Sequence, residues 1–93
     1  METVNRGRLL KLAKAGRLTM VQSYHFDDMY GQETSTKEIP VRIKSAYDDF
    51  KEGFCNLLES DFKSKSGCAY KSGDTIVLIV HSNCNYNFRV QPA

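Results

Sequence analysis

The sequence predicts an α+β fold in a single domain, residues 1–93, with a four- to five-stranded, mostly antiparallel sheet and two helices on one face. Ninety-three residues are the length of one domain. Segments with helical and with alternating apolar spacing follow one another in the order α-β-β-α-β-β. The composition, 41% hydrophobic and 26% charged, is that of a globular chain rather than a disordered one.

The first predicted element is a helix at about residues 5–15. Asn5 is a good residue to cap its start, and Gly16 can end it in a left-handed turn. The apolar residues of this segment form one stripe at 100° per residue. The opposite side carries three basic residues, Arg8, Lys11 and Lys14.

Two strands, residues 18–26 and 38–44, are predicted next because their apolar and polar residues alternate. The segment between them, residues 27–37, is polar and rich in turn-forming residues, which predicts a loop longer than most hairpin loops. Pro40 cannot donate a hydrogen bond to a neighbouring strand, so we expect either that the second strand lies at a sheet edge or that the nitrogen of Pro40 faces water.

A second helix is predicted after Ser45. The apolar residues that follow have helical spacing: Tyr47, Phe50, Phe54, Leu57 and Leu58. Ser45 and Asp48 resemble the capping box that begins many helices. Gly53 leaves a second interpretation open, in which the helix ends near Gly53 and a strand begins at Phe54.

The last third of the chain predicts strands again. Residues 60–67 are expected to form a loop, and residues 68–70 a short additional strand. Residues 75–81 are apolar on both faces, which predicts a central strand. After the turn-forming residues 82–85, residues 86–90 alternate and complete a hairpin.

His81 and Cys84 form the one pair of residues with metal-ligand spacing. His25 or Asp27 could add a third ligand. Structural zinc needs four ligands, normally in two close pairs, and only one close pair is present here. The sequence therefore predicts neither a metal site nor a cofactor.

The cysteines and the apolar segments indicate a cytoplasmic protein. Cys55, Cys68 and Cys84 are an odd number in unrelated settings, which favours free thiols in a reducing compartment. No apolar run approaches the roughly 18 residues that span a membrane, and the first residues do not look like a secretory signal. If the chain is phage-encoded, the expected location is the host cytoplasm.

No catalytic signature is present, so the sequence predicts a binding protein rather than an enzyme. A cysteine nucleophile needs a base and an oxyanion site, and no such motif surrounds any cysteine. Adjacent Asp27 and Asp28 would diverge on a strand or turn, whereas paired catalytic carboxylates converge on one substrate.

Charge is divided along the chain, basic in residues 1–17 and acidic in residues 18–38. This division predicts two candidate partner-binding surfaces. The first is the basic side of the helix, Arg8, Lys11 and Lys14, which could contact phosphates or an acidic protein, or simply face solvent. The second is the aromatic and acidic segment around the loop: Tyr24, Asp27, Asp28 and Tyr30.

The stretch RGRLLKLAKAGRLTMVQSYHFDDMYGQ, followed by EIPVRIK, resembles small accessory proteins of phages and other mobile elements, with anti-CRISPR proteins the foremost group. The resemblance implies an inhibitor that occludes a host defence protein or nucleoprotein complex, as a monomer or a homodimer. It assigns no site residues. The alternative is a small nucleic-acid-binding module that uses the basic helix.

Overall fold

The computed structural model describes residues 2–29, 31–45, 47, 50–81 and 84–92, with side chains for all of these except residues 24–28, 32 and 33. This part of the chain forms seven strands and two helices. In chain order they are β1 (Glu2–Thr3), α1 (Arg6–Lys14), β2 (Leu18–Asp28), β3 (Gly31–Lys44), β4 (Cys55–Leu58), α2 (Glu59–Phe62), β5 (Cys68–Ser72), β6 (Thr75–His81) and β7 (Cys84–Val90).

The strands join one mixed sheet in the order β1-β5-β6-β7-β2-β3-β4. Neighbouring strands are antiparallel except β3 and β4, which run parallel with Val41 opposite Cys55. The predicted four- to five-stranded α+β arrangement with two helices is therefore wrong. The protein is sheet-rich, with seven strands and a second helix of a single turn.

Helix α1 forms as its sequence predicts. The side chain of Asn5 accepts hydrogen bonds from two backbone amides of the first turn, at 2.8 and 3.3 Å. At the other end Gly16 has a φ of +72°, a conformation that costs glycine little. The amide of Arg17 then donates to the carbonyl of Leu12 at 3.0 Å, which closes the helix end.

Residues 27–28 and 31–37 lie in strands rather than in the predicted loop. The ladder between β2 and β3 runs without interruption from Thr19 opposite Pro40 to Asp28 opposite Gly31. The prediction failed because the described side chains of this segment are exposed, and burial then imposes no apolar alternation. The expectation of an edge strand is wrong, because β3 lies between β2 and β4 in the sheet. Pro40 itself directly precedes Val41, where the pairing with β4 begins.

The predicted second helix is also wrong. The described residues of 45–54 are turns and irregular chain, and β4 begins at Cys55. The alternative of a strand after Gly53 is confirmed, one residue later than expected, while Asp48 lies outside the described residues. Asn56 explains the local path, because its side-chain amide donates to the carbonyls of Lys51 at 2.7 Å and Phe54 at 3.1 Å.

The second helix forms instead in the segment predicted as a loop. The carboxylate of Asp61 accepts a hydrogen bond from the amide of Leu58 at 2.9 Å and so caps α2. The last residue of α2, Phe62, is 1% exposed, and its ring lies 6.3 Å from the ring of Phe88 on β7. Strand β6 lies between β5 and β7, as its apolar run predicts.

We expect Phe62→Ala to lower the free energy of unfolding by about 3–5 kcal/mol, because it removes a buried ring and leaves a cavity. Phe50→Ala is the matched control, since Phe50 is 73% exposed. It should change the free energy by less than about 0.5 kcal/mol. Urea unfolding of both variants checks this, and a large loss from Phe50→Ala would support the helix predicted from the sequence instead.

Candidate functional site

The far part of the β2–β3 hairpin, residues 21–38, extends beyond its neighbours, and we call it the arm. Strand β7 pairs with β2 only from Leu18 to Met20, and β4 pairs with β3 only from Val41. In the described part of the chain, the outer edges of the arm therefore have no strand partner. Eight residues of extended strand beyond Met20 span about 27 Å.

Most of the described side chains of the arm are exposed to solvent. Val21 and Gln22 are half-buried. The described side chains farther out are exposed: Ser23, Met29, Thr34, Ser35, Thr36, Lys37 and Glu38. Met29, in the turn at the end of the arm, is 88% exposed. The described side chains of the arm beyond Gln22 therefore lie outside the hydrophobic core on both strands.

The arm is acidic, with four carboxylic residues and one lysine. These are Asp27, Asp28, Glu33, Glu38 and Lys37. Glu38 lies at the base of the arm, where its carboxylate accepts a hydrogen bond from the hydroxyl of Thr19 at 3.1 Å and lies 3.8 Å from the guanidinium of Arg89. The other three acids lie in the outer half, where Asp28 is opposite Gly31 in the ladder.

Three of the predicted partner-binding residues, Tyr24, Asp27 and Asp28, lie on β2 within the arm. Their backbone positions are described and their side chains are not. Tyr30 lies outside the described residues. The predicted segment is therefore brought together on one element, which is a ribbon and not a loop.

The three residues of the predicted basic surface on α1, Arg8, Lys11 and Lys14, have different surroundings in the structure. The ammonium group of Lys14 lies 3.3 Å from the carboxylate of Glu59, which also pairs with Lys63 at 3.0 Å. Hydrogen bonds from Lys63 and then Lys14 lower the pKa of Glu59. Arg8 lines a groove described below, and Lys11 is exposed. Lys14 thus contacts α2, while Arg8 faces a different part of the molecule.

A groove of about 630 Å³ lies between α1 and the β5–β6 turn. Its floor is apolar and includes Leu9 and Ile76. Its charged lining consists of Arg8, Arg17, Lys71, Glu2 and Asp74. Sequence reasoning missed the groove because these residues come from separate segments and share no local motif.

A group of ionisable residues surrounds α2. Burial, and secondarily the charge of Asp61, raise the pKa of the Cys55 thiol to about 11. Burial, followed by the charges of Asp61, Cys84 and Cys55, raises the pKa of Tyr86. Within the described residues, no three His, Cys, Asp or Glu side chains lie close enough to hold a metal ion.

Comparisons with protein-family models, curated sequences and solved structures find no match to this chain. Among the described helices, none has the length and apolar character needed to cross a membrane.

We expect the three thiols to react at two different rates with a thiol reagent at pH 8. Cys68 and Cys84 are exposed and should react fast. Cys55 is buried, and with a pKa of about 11 only about one molecule in a thousand carries the reactive thiolate. Spectrophotometric titration should show two fast thiols in the native protein and three after denaturation.

The double variant Cys68→Ser/Cys84→Ser isolates the buried thiol. Its single thiol should react slowly in the native protein and fast in denaturant. Rapid reaction of the native double variant would contradict the buried position of Cys55.

Proposed function

We propose that this protein is a non-enzymatic binding protein that inserts its acidic arm into a positively charged groove of a larger partner. One observation carries the proposal. A two-stranded ribbon with an excess of acidic residues extends beyond the strands next to it and exposes most of its described side chains. Inhibition would follow from occlusion of the groove.

The shape of the arm suits insertion. Two paired strands lie about 4.8 Å apart, so the ribbon is narrow for its length. Its outer edges offer backbone donors and acceptors that a partner strand can pair with, and Met29 at its end offers an apolar contact. Negative charge attracts a basic partner surface over a distance of several ångströms and speeds association.

The resemblance to phage accessory proteins extends the proposal to one class of partner, a host defence protein or nucleoprotein complex. RNA-guided complexes hold nucleic acid in a positively charged channel and recognise its backbone. Carboxylates on the arm would compete with phosphates for the same Lys and Arg side chains. Nucleic acid would then be displaced by the protein without being bound by it.

The alternative function, direct nucleic-acid binding through α1, has less support. Lys14 already pairs with Glu59, so a phosphate would have to replace that contact. The acidic arm would also repel a phosphate backbone.

We expect Asp27→Asn/Asp28→Asn to weaken partner binding about tenfold, since two partly screened charge pairs together supply about 1.4 kcal/mol. Glu52→Gln/Asp74→Asn is the matched control, because it removes the same charge from exposed residues outside the arm. The partner is first captured from a host lysate, with and without nuclease. The affinity of each variant is then measured against the purified complex at several salt concentrations.

The difference between the two variants should shrink as salt rises, because screening weakens charge pairs. Equal affinity of both variants for the partner would refute arm insertion. Binding of the free chain to DNA or RNA at about 0.15 M salt, lost in Lys11→Glu, would instead establish the nucleic-acid-binding function.

A further inference from the structure

The end of the β6–β7 hairpin brings a histidine and a cysteine together. His81 is the last residue of β6 and Cys84 the first of β7, and the two are paired across the ladder. Both residues are exposed. Paired residues in antiparallel strands have side chains on the same side of the sheet, with Cα atoms about 4.5–5.5 Å apart.

A β-bulge produces this pairing. The register shifts between Ile79, which is opposite Asn85, and His81, which is opposite Cys84. In a regular ladder, Val80 would be the residue opposite Cys84. The bulge therefore places an imidazole, rather than an apolar side chain, beside the thiol, and bulges often redirect a side chain in this way next to functional sites.

Imidazole and thiolate are the ligands that zinc most often takes in proteins. A spacing of two residues between ligands is also usual in zinc sites. Zinc prefers four ligands in a tetrahedron, and the described residues of one chain add no third ligand to this pair. A second copy of the chain could supply the two ligands that one copy lacks.

We propose that His81 and Cys84 from two copies of this chain bind one Zn²⁺ ion and join the copies in a symmetric dimer. The two-fold axis passes through the metal, so each copy contributes the same two ligands. Two thiolates balance the charge of the ion, which keeps the site neutral. Because the ligands lie at an exposed hairpin end, a second copy can approach without rearrangement of the core.

Cys68 is a matched control for Cys84, because it is also exposed and lies on β5 opposite Ile79.

The test is a titration of the chelator-stripped protein with Zn²⁺ in the presence of a non-thiol reductant, which prevents disulfide-linked dimers. We expect one Zn²⁺ per two chains, at roughly micromolar or lower free Zn²⁺, with the mass from light scattering doubling in step. Co²⁺ in place of Zn²⁺ should give the absorption of a tetrahedral site with thiolate ligands.

His81→Ala and Cys84→Ser should each abolish both metal binding and dimer formation, and Cys68→Ser should change neither. The proposal is overturned by one Zn²⁺ per monomer, by a dimer that persists in chelator, by binding that survives Cys84→Ser, or by no binding. None of these results depends on the arm, so this inference stands or fails independently of the proposed function.

Discussion

The packing of Phe62 against Phe88 holds the two sides of the sheet to one core. Helix α2, which carries Phe62, contacts both β4 and β6, strands that lie on opposite sides of β7, β2 and β3 in the sheet order. The contacts of α2 with both strands position β4. Strand β4 pairs with only the last four residues of β3. The rest of β3 is left without a second neighbour. The arm begins where the pairing of β2 with β7 and of β3 with β4 ends.

The elements that the sequence predicts well are those whose buried and exposed residues follow a pattern within one short segment. Helix α1 has its caps and apolar stripe within one segment, and β6 is apolar because strands flank it on both sides. The outer part of the arm, residues 27–37, was predicted as a loop because it is polar and its described side chains are exposed, so that burial imposes no pattern on it. Tyr47 and Phe50 misled the prediction of a helix, because their helical spacing occurs in a connection where both side chains are exposed.

For the candidate site, the sequence located the acidic residues and not the element that presents them. The number of acidic residues can be counted from a sequence. How far the arm extends beyond the rest of the sheet depends on where the neighbouring strands end. The basic residues near α1, in contrast, form contacts within the protein. Arg6 donates to the carbonyl of Ser64, Arg17 donates to the carbonyl of Gln91 at 3.1 Å, and Lys14 pairs with Glu59. Much of the positive charge near α1 therefore connects it to other segments of the fold.

Pro40 marks the end of the part of β3 along which a strand from another molecule could pair. It offers no amide hydrogen, and from Val41 onward β4 already occupies that edge. A strand added from outside can therefore pair along residues 31–39 and no farther. Lys37 and Glu38 place charges on the same stretch, which disfavours indiscriminate association between sheet edges. These charges favour a short added segment of complementary charge over a second copy of the same edge.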